Sequence, residues 1–107
     1  MNYRNSIAGT ITANGASVTL PYRHFTNGGV GFQVTGTFSG TLQFEITING
    51  TDWVAFQVTN VNTGSSVTTA TAAGIFKGDV VGIVGVRITS TAFSSGTANI
   101  WIAGLAG

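Results

Sequence analysis

The stretch VGFQVTGTFSGTLQFEITINGTDW, residues 30–53, decides the fold. Read with a period of two, it puts Phe32, Val34, Gly36 and Phe38 on one side and Gln33, Thr35 and Thr37 on the other. Ser39-Gly40 interrupts the pattern, which resumes with Leu42, Phe44, Ile46 and Ile48 against Thr41, Gln43, Glu45 and Thr47. Alternation of this kind places one set of side chains on each face of a strand. Ser-Gly is turn chemistry, because glycine takes positive φ without steric cost. The reading is a β-hairpin with one apolar face and one Thr/Gln/Glu face. Asn49-Gly50-Thr51-Asp52 then predicts a second turn, since Asn-Gly is a strong hairpin signal. Three strands in a meander follow from this stretch.

Working outward, the flanks carry the same signals. Ser6–Ala13 and Ala16–Leu20 read as strands joined at Asn14-Gly15, with Ile7, Gly9 and Ile11 on one face and Val18 and Leu20 on another. Pro21 ends the second strand, having no N–H for a ladder. Residues 1–5 read as a short N-terminal arm, and residues 6–107 as one domain. The run Pro21–Gly29 mixes Arg23, the only histidine (His24), Tyr22 and Phe25, and reads as a connection whose aromatics cap the core. Beyond Trp53, strands are expected at 53–60, weakly at 67–71, at 74–80 with a bend at Gly78, and in a last hairpin, 85–91 and 96–103, turning at Phe93-Ser94-Ser95. No window keeps a helical period, and β-branched residues are everywhere. Residues 30–41 and 84–97 also echo each other, as two similar hairpins of a sandwich or as convergent strand composition. Eight or nine short strands without helices predict an all-β antiparallel sandwich, Ig-like or jelly-roll, with a closed small barrel as the alternative.

Composition narrows function by exclusion. Only Arg4, Arg23, Lys77, Arg87, Glu45, Asp52 and Asp79 carry charge, 7% of the chain against about 25% in ordinary soluble domains. A net charge of +1 offers no electrostatic footprint for nucleic acid or an anionic membrane. A Thr/Gly-rich, nearly uncharged surface favours a protein that is largely covered in use. There is no cysteine, so no disulfide or thiolate metal site is available. No basic-then-apolar leader and no apolar run long enough for a membrane span is present. One histidine and three carboxylates leave few catalytic acids, bases or nucleophiles, so no enzyme is expected. His24, Glu45, Asp52 and Asp79 are too scattered for a zinc site, and Asn49–Asp52 lacks the clustered carboxylates of a calcium loop. No cofactor is expected.

The aromatic residues are the remaining candidates. In the last hairpin, parity puts Arg87 and Thr89 on the face opposite Val86 and Ile88, and Trp101 opposite Ile100 and Ile102. Trp101 and Arg87 therefore read as sharing an outward face, the composition of an interface hot spot. Stacking on a sugar ring and burial within the fold remain open for Trp101. Trp53 has no assigned face, because the turn before it can reverse parity.

The residues from Gly36 to Glu45, then Asn49-Gly50-Thr51-Asp52-Trp53-Val54-Ala55, resemble small β-sandwich structural proteins of tailed bacteriophage virions. Those sequences show a G-T-aromatic-S-G-T strand, an F-E strand and a (D/N)-G-T-x-W turn. The Thr-rich loop at 68–73, Gly74-Ile75-Phe76 and the run Val86–Ala98 are similar too, so the likeness covers about residues 30 to 102. It implies a virion structural protein made in the host cytoplasm, most simply a capsid decoration or cement protein on the particle surface. Its implied partners are the major capsid protein and copies of itself in a homotrimer, with a host glycan as a further possibility. On that reading Trp101 and Arg87, with Tyr3 and Arg4 of the arm, contribute contacts to subunits or capsid. The competing class is a carbohydrate-binding module of a phage fibre or tail, with Trp53, Trp101 and Tyr22 as stacking platforms.

Overall fold

The computed structural model describes the backbone of residues 3–20, 29–79 and 85–106 and the side chains of 6–20, 29–79 and 85–103. Gly36 and Thr37 separate β3 (Gly29–Thr35) from β4 (Phe38–Thr47), and these two strands lie in different sheets. The hairpin predicted across Ser39-Gly40 is therefore an arch, and its break falls earlier. Alternation assigns each strand an inward face, and two such faces meet equally well across a sandwich as side by side. Gly36 makes the arch possible with φ of 98°, where an added Cβ would collide with the Thr97 carbonyl oxygen.

The last hairpin is an arch as well. β10 (Gly85–Gly96) belongs to one sheet and β11 (Ala98–Ala106) to the other. Gly96 has φ of 90°, and a Cβ there would collide with the Thr37 carbonyl oxygen. The two arches lock together, since Thr97 N–H donates to Thr37 C=O at 3.1 Å. β3 pairs with β11 and β4 with β10, so the arches lie side by side and run between the sheets in opposite senses. The first copy of the sequence echo spans β3, its arch and the start of β4, whereas the second runs along β10 and ends at its arch, so the two copies are not equivalent hairpins.

β1 (Tyr3–Ile11) and β2 (Ser17–Leu20) also occupy different sheets. The Asn14-Gly15 turn is present, with Ala16 N–H donating to Ala13 C=O at 3.3 Å, but it hands the chain across the sandwich. Buried Ser90 of β10 anchors it: its Oγ donates to the Ala13 carbonyl at 2.8 Å, and its N–H to the Ala16 carbonyl at 2.9 Å. The expected arm is also corrected from residue 3 onward. Tyr3, Arg4 and Asn5 register with Ala106, Leu105 and Gly104, because β11 runs on far enough to supply a ladder.

One predicted hairpin does form. β4 pairs with β5 (Val54–Ala55) through Glu45↔Ala55 and Ile46↔Val54, across the Asn-Gly turn. The strand expected over 53–60 then splits, because β6 (Val58–Asn60) crosses to the other sheet. The weak strand at 67–71 splits likewise into β7 (Ser66–Val67) and β8 (Thr69–Ala70). These divisions raise the count among the described residues to eleven. β9 (Gly74–Asp79) pairs with β3 in unbroken register, so Gly78 serves space rather than a bend: a Cβ there would sit 2.9 Å from Phe56 Cε2. The Tyr22, His24 and Phe25 readings lie outside the described residues.

The result is an antiparallel sandwich. One sheet has the order β1-β11-β3-β9-β6-β7, the other β2-β10-β4-β5 with β8 also on β4. Among the described residues no strand pairing joins the two sheets, so they form a sandwich and not the closed barrel. Phe32 and Phe76 meet Phe44 from the opposite sheet, each with ring centroids 5.0 Å from it, tilted as aromatic quadrupoles prefer. Leu42, Ile88, Ile100 and Ile102 complete this core, each fully buried. Burying such side chains contributes roughly 1.5–3 kcal/mol apiece before chain entropy is counted.

Candidate functional site

The sandwich turns two faces to the surroundings, and the predicted interface pair is divided between them. Arg87 stands on the outer face of the five-stranded sheet and Trp101 on that of the six-stranded sheet. Parity correctly turns both outward. It does not say which sheet each strand joins, so the shared face is overturned.

On the five-stranded side, β10 and β4 place Arg87 directly opposite Glu45. The guanidinium Nε donates to Glu45 Oε1 at 2.7 Å, and Gln43 Nε2 donates to Glu45 Oε2 at 2.7 Å. The Arg87 guanidinium carbon lies 4.4 Å from the centroid of the Trp53 ring, a cation–π contact. Trp53 folds back from the Asn-Gly turn over Gly85 and Thr47: a Cβ on Gly85 would lie 3.3 Å from the indole edge and from Thr47 Cγ2. Under this cover Glu45 is only 8% exposed and Thr47 only 2%, although both point away from the core. Arg87 is thus committed to an intramolecular cluster, and the face of Trp53 beneath it is not an open sugar platform.

The turn beside the cluster is also internally satisfied. Asn49 Oδ1 accepts from the backbone N–H of Thr51 and of Asp52, both at 2.8 Å, and Asn49 Nδ2 donates to Asp52 Oδ2 at 2.8 Å. Next to it Ile46, Ile48 and Val54 line an open apolar notch, with Ile48 68% exposed. The apolar face expected to continue to Ile48 ends at the strand terminus. Among the described residues, no three His, Cys, Asp or Glu side chains gather as metal ligands.

The six-stranded side is different in kind. Trp101 faces Ala8 on one neighbouring strand and Gln33 on the other. Gln33 faces Ile75, and Val61 follows, its N–H donating to the Ile75 carbonyl at 2.9 Å. These five positions form one row across the sheet. Trp101, Ile75 and Val61 are each 45–47% exposed, an apolar stripe without a charge. The next row carries Ser6, Ala103, Gly31, Lys77 and Thr59, so a single cation borders the stripe there. Ile75 and Val61 escaped the sequence reading. The parity of Ile75 against buried Phe76 was the available signal. Tyr3 and Arg4 lie at the start of β1, where only their backbone is described.

No protein-family model matches this chain, and neither does any curated protein sequence. Solved structures do match. The SPBc2 prophage-derived protein YomS superposes with a TM-score of 0.79 at 12% identity, over 99% of this chain and 96% of YomS. The PBSX exported protein XepA gives 0.76 at 14% identity over 96% of this chain, which spans only 38% of XepA. PirA gives 0.52 at 13% identity, over 95% of this chain and 94% of PirA. At such identities these likenesses show a shared β-sandwich fold.

Proposed function

We infer that this chain is a non-enzymatic structural protein of a bacteriophage particle, acting on the capsid surface as a decoration or cement protein. The observation that carries the reading is the exposed, uncharged stripe Ala8–Trp101–Gln33–Ile75–Val61 on the outer face of the six-stranded sheet. An uncharged row in which an exposed tryptophan, isoleucine and valine flank a glutamine suits contact with another protein surface. The fold shared with a prophage-derived protein, and the sequence resemblance to virion sandwiches, both favour a phage setting. On this reading the protein is made in the host cytoplasm and ends on the particle surface. The major capsid protein is its partner, and Tyr3 and Arg4 at the strand start lie at the margin of the contact.

The test is particle fractionation. Phage particles from a host carrying this gene are banded on a density gradient and their proteins counted by mass spectrometry. The expected result is this chain in the particle band at a copy number comparable to capsomers, with Trp101→Ala lowering occupancy at least tenfold. Recovery only among free proteins overturns the reading. Binding of a neutral glycan is the second reading, favoured by the open Trp101 indole beside the Gln33 amide. A saccharide-dependent change in tryptophan fluorescence that Trp101→Ala abolishes would support it.

A further inference from the structure

Among the described residues the strands that end the sheets differ in length, and three of them are short. β7 and β5 have two residues each, and β2 has four. An edge that short offers few N–H and C=O groups to another strand, which is one way proteins blunt their edges. β1 is the exception. It runs nine residues in unbroken register with β11, without bulge or proline. From Asn5 to Ile11 it carries no charge. Among the described residues it pairs with β11 alone, and its outward side chains Ser6, Ala8 and Thr10 are small and exposed. From Asn5 to Ile11, among the described residues, no charge, proline or bulge blocks this edge, and Arg4 stands at its N-terminal end.

The strand is also complementary to itself. Placed antiparallel to a second β1 with the two-fold axis at Ala8, it sets Ala8 against Ala8, Ser6 against Thr10 and Ile7 against Gly9. Ser–Thr pairs hydrogen-bond across strands, and isoleucine over glycine meets no clash from a facing side chain. Arg4 falls opposite Thr12, so the one charge of the strand does not meet its own copy. This register also carries the stripe through the axis, because Ala8 is its end residue. With strands about 4.8 Å apart, the two Trp101 Cα atoms would stand about 14 Å from each other, a span that two indoles leaning over the paired alanines can close.

We propose that β1 is a self-association edge: two copies pair antiparallel through β1 about Ala8, joining their six-stranded sheets into one continuous sheet of twelve strands. The two-fold pair takes the place of the trimer that the sequence resemblance implies. It is a property of the chain in solution and stands whether or not the virion reading does.

The experiment is light scattering over a dilution series, with two variants of the full chain. The chain mass is 10.9 kDa, and the expected species is twice that, dissociating on dilution. Ala8→Lys places like charges directly opposite each other on an exposed site, so dimerisation weakens by about tenfold or more while circular dichroism is unchanged. Ala8→Cys, in a chain with no other cysteine, gives a disulfide-linked dimer on mild oxidation, whereas Ser6→Cys, facing Thr10, cross-links far more slowly. The cross-linking comparison stands if the lysine variant fails to fold. A monomer at every concentration, an oligomer unchanged by Ala8→Lys, or equal cross-linking of the two cysteine variants each overturns the proposal. Failure of the particle experiment with a positive result here would sink the virion reading alone.

Discussion

Replacing Arg87 with methionine keeps most of the side-chain stem and removes the guanidinium. Glu45 would then keep Gln43 as its one remaining polar partner in the cluster while only 8% exposed, and the Trp53 ring would lose its cation. Breaking a fully buried ion pair from one side costs about 3–5 kcal/mol. This pair is less than fully buried, because the Arg87 side chain is 27% exposed and that of Glu45 10%, so solvent screening lowers the loss. The expected loss is about 2 kcal/mol, which in a domain of this size lowers Tm by roughly 10 °C. Glu45→Met alone leaves the better solvated arginine without its partner and is expected to cost less, about 1 kcal/mol. The double variant Glu45→Met/Arg87→Met removes both charges together, and a well-packed apolar pair in such a place is often near neutral. Urea unfolding followed by far-UV circular dichroism measures all three, and the cycle isolates the coupling. A double variant that loses the full sum of the single losses would show that the pair is not coupled. An Arg87→Met effect under about 0.5 kcal/mol would show that the cluster is only surface decoration.

Phe44→Ala empties the meeting point of Phe32 and Phe76, so a loss of about 3–5 kcal/mol is expected in the same unfolding assay. Gly36→Ala and Gly96→Ala each combine positive φ with a carbonyl collision, whereas Gly15→Ala has positive φ and open space. The first two should therefore lose clearly more than the roughly 1 kcal/mol expected at Gly15, and equal losses would refute the arch-lock argument. Ser90→Ala removes the bond to the Ala13 carbonyl, with an expected loss of about 1–2 kcal/mol and faster amide exchange around Asn14-Gly15. Trp101→Ala is expected to change stability by no more than about 1 kcal/mol, so any loss of particle occupancy reflects contact rather than folding.

The alternation of residues 30–46 and 86–102 determined, without any tertiary information, that strands form there and which large apolar side chains turn inward, whereas Ile48, read onto the same face, is exposed past the strand end. Phe32, Val34, Leu42, Phe44, Val86, Ile88, Ile100 and Ile102 are all buried as parity requires. Asn49-Gly50 reads as a hairpin turn and forms one, pairing β4 with β5, whereas the same dipeptide at Asn14-Gly15 joins strands of different sheets. Sheet membership was decided only in three dimensions. A period of two encodes a face and not a partner, so β3–β4 and β10–β11 read as hairpins while they fold as arches. The candidate site depended on that missing step: Arg87 and Trp101 both face outward, yet onto opposite sides of the sandwich. Trp53 needed the folded chain as well. Its place above Arg87 comes from a turn closing over a glycine in a strand more than thirty residues away, a contact that no local pattern encodes.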